Sequence, residues 1–272
     1  NPTAACAMNL KKPHQHKNQP ILEWHGKHVW LIGASTGIGA ALAQQLLARG
    51  AKLVLSSRHI NQLATLAEQY PQQAWLLPLD ITDIAAFEQA NQQVRATFPA
   101  IDVVIFMAGA YTAMRAWELD YAGLDKLMDV NLRAPIQASA RLIPSLLQQG
   151  SGALVFVASV AGYRGLPKAA GYGPTKAALI NFAEALYLDL VPRGLSVYVV
   201  NPGFVATPMT AKNDFDMPAL ITPEAAAQAI FKGLGKSHFE IHFPRRFTCW
   251  LKILRILPYR LYFWLILRFV KA

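Results

Sequence analysis

The chain has 272 residues, 53% of them apolar and only 15% charged, and it carries a formal net charge of +10. That is enough apolar material to bury a core in one large domain or two small ones, and the charge calls for an anionic partner: a phosphate-bearing cofactor, nucleic acid or an anionic membrane surface. The two cysteines, Cys6 and Cys249, stand near opposite ends, which excludes a disulfide framework and a zinc-ligand spacing and suits a reducing, cytoplasmic setting.

Residues 1–25 read as a flexible polar tail with no apolar core for a signal peptide. His14, His16, His25 and His28 lack the Cys or carboxylate companions of a metal ligand set, so no metal is expected. From Lys27 onward, apolar runs of strand length alternate with helical stretches. The predicted strands are 28–33, 51–57, 74–80 and 101–109, with helices over 37–49, 60–70 and 83–97 between them. A helix over about 120–149, interrupted or kinked by Pro135 and Pro144, leads to a strand at 152–159. A helix over 172–190, a strand at 195–203 and a helix over 222–235, capped by Thr222 with Pro223 at its first position, complete the series. The strands are apolar nearly throughout, as strands covered on both faces are, so the alternation predicts an α/β fold: a parallel sheet with helices on both sides.

Two stretches carry chemistry. In "LIGASTGIGAALAQQLLARG", Gly33, Gly37 and Gly39 lie between a strand and a helix, with Ser35, Thr36 and Ile38 interleaved. Without side chains the backbone turns tightly and admits a pyrophosphate to the helix N-terminus, where free N–H groups favour anions. In "SVAGYRGLPKAAGYGPTK", Tyr172 and Lys176 are four residues apart and so share one face of a helix. Pro174 is tolerated only in a helix's first turn, which sets Tyr172 at the helix start. An ammonium in reach is expected to lower the phenol's pKa from its ordinary value of about 10 and let it exchange a proton. Ser159 ends the preceding strand, at the carboxyl edge where open α/β sheets hold ligands, and can hold a substrate oxygen beside Tyr172.

The spacing G-x-x-x-G-x-G, followed by Ser159, Tyr172 and Lys176, resembles the short-chain dehydrogenase/reductase family, whose first turn reads T-G-x-x-x-G-I-G; Ile32 stands where that family usually has Thr. The resemblance covers residues 26–235. It implies a Rossmann-type, doubly wound sheet and hydride transfer between a nicotinamide and a carbonyl or alcohol, with Tyr172 trading the proton. It also implies that Lys176 bonds the nicotinamide ribose and that Asn131, in "DVNLRAP", completes a proton relay. Asp80, with Ile81 beside it, is implied to contact adenine; Ala108 and Gly109 to flank the cofactor; Pro202 and Gly203 to shape the loop near the nicotinamide; and Val205 and Thr207 to contact its carboxamide and phosphate. Ser57 occupies the position where an acid would select NAD, and Arg58 follows it. A hydroxyl and a guanidinium suit a 2′-phosphate, so NADP(H) is the expected cofactor and reduction the expected direction. "FMAG" (106–109) replaces the family's N-N-A-G, which puts sheet-stabilising hydrogen bonds in doubt. Residues 208–221, with Met209, Phe215, Met217 and Leu220, are the expected lid over an apolar substrate.

The segment 241–272 contains seven Arg and Lys residues, no acid, and many aromatics and leucines. Its charges and Pro258 prevent a membrane span, and the pattern suits peripheral contact with an anionic membrane surface; a dimer interface or a flap over the substrate mouth are the alternatives. It is too apolar for a nucleic-acid-binding arm. The expected organisation is therefore a tail (1–25), a catalytic domain (26–244) and an apolar basic helical extension (245–272), in a homo-oligomer acting on a small lipophilic molecule. A catalytically idle cofactor-binding or membrane-associated scaffold is the alternative function. A nucleotide-sugar epimerase or dehydratase is disfavoured by the glycine spacing.

Overall fold

The computed structural model describes residues 17–211 and 216–270. Its centre is a seven-stranded, wholly parallel sheet in the order β3-β2-β1-β4-β5-β6-β7. The strands are β1 (His28–Ile32), β2 (Lys52–Ser57), β3 (Ala74–Pro78), β4 (Val103–Phe106), β5 (Ala153–Val157), β6 (Ser196–Pro202) and β7 (Glu240–Phe243). The helices are α1 (Gly37–Leu47), α2 (Ala64–Gln69), α3 (Ile84–Thr97), α4 (Tyr121–Met128), α5 (Ala134–Gln149), α6 (Tyr172–Leu190), α7 (Pro223–Leu234), α8 (Arg245–Ile256) and α9 (Tyr259–Phe269).

Successive strand residues point to opposite faces, and both faces are covered. Trp30, Val104, Phe106, Leu154 and Phe156 face a core closed by α3, α5 and α6. Val29, Leu31, Ile105 and Val155 face one closed by α1 and α7. The chain leaves β1 in one direction along the sheet and returns to β4 on the other side, so the carboxyl ends of β1 and β4 diverge and open a crevice there.

The expected elements are found with ends trimmed by at most four residues, and four differences have physical causes. First, the expected interruption of the long helix is a π turn over Asp129–Arg133, just before Pro135, whereas α5 runs on as one helix through Pro144. Pro135 has no N–H to return to the carbonyl of Asn131, four residues earlier, and the wide turn absorbs the clash of its ring. Second, β7 is a short edge strand in a region that reads in sequence mostly as the start of the basic tail. Third, part of the expected flexible tail is packed: Asn18 is buried, pairing its side chain with both backbone groups of Val197 (2.7 and 2.9 Å), Trp24 is buried beside α7, and Ile21 N–H donates to Leu234 O. Residues 1–16, including Cys6, His14 and His16, lie outside the described residues. Fourth, the sheet around "FMAG" keeps its links. The amides of Met107 and Ala108 both donate to Ile32 O at 2.8 Å, and Phe106 stacks on Phe156 with centroids 5.0 Å apart.

Candidate active site

The crevice is an open cleft of about 340 Å³ at the carboxyl edge of the sheet. One end is the turn after β1. Gly33 has φ +97°, and a Cβ there would lie 2.3 Å from Ala108 N, so only glycine lets the turn pass the β4 loop. Gly37 opens α1 with φ +53°, and a Cβ would strike the Thr207 methyl at 2.8 Å. Thr36 makes no side-chain cap and the first turn of α1 carries no acid, so the amides of Gly37, Ile38 and Gly39 have no carboxylate competing with an incoming anion. Ser35 and Thr36 line the same end.

The mouth beside β2 and β3 is formed by Ser57, Arg58, Asp80 and Ile81. Ser57 is buried, and its Oγ accepts from His59 N at 3.0 Å; Arg58 is exposed. Burial tends to raise the Asp80 carboxyl's pKa, but hydrogen bonds from the Thr82 hydroxyl (2.7 Å) and amide (3.0 Å), with Arg58 nearby, outweigh it and hold the carboxyl below its ordinary range. Asp83 caps α3 through the amides of Ala85 and Ala86, which leaves Asp80 facing the cleft.

The far end gathers the remaining groups. Ser159 follows β5, its Oγ accepting from Ala161 N at 3.1 Å. Tyr172 is the first residue of α6, with Pro174 in the first turn. Lys176 is buried one turn further on and donates to Val157 O at 3.0 Å; its Nζ lies 5.6 Å from the Tyr172 ring centroid. Asn131 is buried in the π turn: Oδ1 accepts from Ala110 N (2.8 Å), while Nδ2 donates to Ala110 O (2.9 Å) and to Thr175 Oγ1 (3.2 Å). Gly109 lies beside both groups: a Cβ on it would stand 3.4 Å from Asn131 Oδ1 and 3.7 Å from Lys176 Nζ, in ordinary contact. Ala108 and Gly109 floor the cleft, while Pro202, Gly203, Val205 and Thr207 wall it.

Electrostatics at this end differ from the expected lowering of the phenol. Burial pushes Tyr172 up to about 12, against a hydrogen bond with Ser159 that pulls it down, and burial lowers Lys176 to about 8. Desolvation is the leading cause for both groups in this state.

Sequence reasoning missed Tyr111, whose ring stands edge-on to Tyr172 at 5.0 Å, and Met107, Val130, His59 and Gln62, which also line the cleft. A methionine or valine in a strand end or helix carries no signal of facing a ligand. The expected lid is described only in part: Met209 lines the cleft, whereas Phe215 lies outside the described residues.

The residues present fit a dinucleotide: an uncapped helix N-terminus and glycine backbone for a pyrophosphate, and a buried ammonium beside a phenol at the other end. Comparison with known proteins agrees. The short chain dehydrogenase family model matches residues 27–217. An uncharacterized oxidoreductase of Myxococcus xanthus is 31% identical over 232 residues, covering 84% of this chain and 91% of that protein. Another, from Staphylococcus epidermidis, is 31% identical over 213 residues, covering 78% and 93%. Among solved structures, a short chain dehydrogenase of Burkholderia cenocepacia in complex with NADP superposes with a TM-score of 0.79 at 23% identity, covering 92% of this chain and 100% of that one. One from Sphingobium yanoikuyae in complex with NADPH gives 0.74 at 26%, covering 82% and 91%.

Proposed function

The chain belongs to the short-chain dehydrogenase family, and from that membership we propose that it is an NADP(H)-dependent oxidoreductase that reduces the carbonyl group of a small lipophilic substrate. The observation that carries this reading is the juxtaposition of Ser159, Tyr172, Lys176 and Asn131 at one end of a cleft whose other end is the open N-terminus of α1. The bound nicotinamide supplies or receives the hydride. The chain's own residues do the rest. Ser159 and Tyr172 hold the substrate oxygen, and Tyr172 gives its proton in reduction and takes it back in oxidation. Lys176 presents a buried ammonium whose one carbonyl partner leaves N–H donors for ribose hydroxyls. Asn131 fixes the loop of Ala110 beside the cofactor's path and completes the proton route.

Choice of NADP(H) is supported by Ser57 and Arg58 at the mouth, a hydroxyl and an exposed guanidinium where an acid would repel a 2′-phosphate, and by the two structural neighbours solved with NADP and NADPH. Met107, Val130 and Met209 support an apolar substrate. We further propose a cytoplasmic homo-oligomer built on the outer faces of α4–α5 and α6, where Leu188 is exposed, with the extension 245–272 as a unit distinct from the catalytic domain.

The test is NADPH consumption with a panel of ketones and aldehydes of increasing chain length, run beside Tyr172→Phe. The reading requires turnover that rises with substrate apolarity and is lost in the variant, which still binds NADPH. Binding of NADPH with no turnover on any carbonyl, and no effect of the variant, would point instead to a cofactor-binding scaffold.

A further inference from the structure

Helices α8 and α9 turn stripes of large apolar side chains outward. On α8, Trp250, Ile253 and Ile256 recur every three residues, and Ile256 is 80% exposed. On α9, Tyr259, Phe263 and Leu267 recur every four, Leu267 being 82% exposed, with Trp264 beside them. These stripes are not what folds the extension. The inward faces have their own partners: Phe247 and Leu251 pack on the core, and Thr248, Tyr262 and Ile266 are buried. An apolar surface of this extent signals an interaction.

Charge identifies the occupant. Arg245, Arg246, Arg255, Arg260 and Arg268 are exposed around the stripes, and no Asp or Glu follows Glu240 in the chain. The one Lys in α8, Lys252, is already paired with Glu240. Docking a second copy on this face would set like charges against like charges. The two helices have 12 and 11 residues, about 18 and 17 Å at 1.5 Å per residue, well short of the roughly 30 Å of a bilayer core. Among the described residues no helix is long and apolar enough to cross a membrane. Short helices with aromatic and aliphatic stripes, flanked by arginines, match an element that lies in the interface.

We propose that α8 and α9 form an interfacial seat on bilayers containing anionic lipid, clamped by Arg164 to the loop that follows Ser159. Arg164 donates to the carbonyls of Leu254 (2.8 Å), Arg255 (3.2 Å) and Leu257 (2.6 Å), capping the C-terminus of α8. Its guanidinium lies 4.1 Å from the Tyr262 ring centroid and 4.7 Å from that of Tyr259. The Tyr262 hydroxyl returns a hydrogen bond to Gly165 O. At the other end of α8, Phe247 packs on Gly203 of the cleft wall and on its neighbour Phe204. The seat therefore carries both loops of the substrate end with it to the bilayer, where an apolar substrate is concentrated. The lipid contact itself does not depend on which reaction the cleft performs.

The full chain is sedimented with phosphatidylcholine vesicles with and without phosphatidylglycerol, at low and high salt, beside Ile256→Glu/Leu267→Glu and Arg260→Glu/Arg268→Glu. All four positions are exposed and outside the cleft; unchanged NADPH binding by each variant establishes that it is folded. Binding should require phosphatidylglycerol, weaken with salt, and drop by at least about tenfold in either variant. Equal sedimentation with both vesicle types, no sedimentation at all, or undiminished binding by the two variants overturns the proposal. So does a concentration-dependent dimer that Ile256→Glu/Leu267→Glu dissociates, which would assign the face to a second copy.

Discussion

The Lys176 ammonium donates to the carbonyl of Val157 at 3.0 Å and stands 5.6 Å from the centre of the Tyr172 ring, one turn further along α6. Each group alone is driven toward its neutral form, the phenol to about 12 and the ammonium to about 8. At neutral pH the site rests with both protons in place, the state that a proton donor to a carbonyl requires.

Ser159 is the group whose hydrogen bond pulls the Tyr172 phenol down against burial. Ser159→Ala should cost about 10²-fold or more in kcat, the scale of one positioned acid–base or oxyanion contact. NADPH affinity, measured by fluorescence titration, should be unchanged. An equal loss in NADPH binding would mean that the hydroxyl holds the cleft rather than the reacting oxygen.

Burial of Lys176 has a thermodynamic consequence in the cofactor-free protein. Its pKa is depressed from 10.5 to about 8, so between those values the unfolded chain binds more protons than the folded one. Stability from this group therefore rises with pH across that window, by up to about 3 kcal/mol. Urea unfolding at pH 7.5 and pH 10 (roughly the span of the shift) should show a rise that Lys176→Met abolishes. Tyr172, shifted upward, acts with the opposite sign only above its ordinary value of 10.0.

Arg58 and Ser57 give the cofactor preference a direct handle. Arg58→Ala should weaken NADPH binding by about tenfold or more, the worth of one charge-assisted contact, while NADH binding stays level. Ser57→Asp should invert the preference, because a carboxylate repels the 2′-phosphate and can accept from a ribose hydroxyl. Its side chain keeps an acceptor for His59 N, so the turn should survive. Isothermal titration with both cofactors reads each arm.

Gly33 is a packing constraint as much as a conformational one. Gly33→Ala forces a Cβ to within 2.3 Å of Ala108 N, 2.6 Å of Ala108 Cα and 2.8 Å of Met107 C at a φ of +97°, and all three are backbone atoms that cannot swing away. Loss of about 3 kcal/mol or more is expected, combining strain and overpacking. Thermal unfolding without cofactor measures it.

The sheet and the two ends of the cleft were legible because each rests on a local rule. Apolar runs mark doubly covered strands, glycines at fixed spacing mark the turn after β1, and Pro174 dates the start of α6 to Tyr172. What was not legible depends on contacts far apart in sequence. Asn18 pairs with Val197, 179 residues away. β7 is four residues long, and its Glu240 draws its meaning from Tyr163, Asn201 and Lys252: burial raises that carboxyl's pKa, and their three hydrogen bonds more than reverse it. Arg164 looks like a loop arginine until the carbonyls at the end of α8 arrive beside it. The phenol's pKa moves up where the spacing alone predicts a fall, because spacing reveals a neighbouring charge and says nothing of how far both groups leave water.

The proposed function rests on the Tyr172 phenol as the proton donor and acceptor of a hydride-transfer site. The measurement that tests it is kcat/KM as a function of pH in both directions, on the wild type and Tyr172→Phe. The reductive rate should be level through neutral pH, because the phenol remains protonated, and the oxidative rate should rise by about tenfold per pH unit while phenolate is the minor form. Tyr172→Phe should lose both by at least about 10³-fold. An oxidative rate independent of pH, or substantial turnover in the phenylalanine variant, would contradict the assignment.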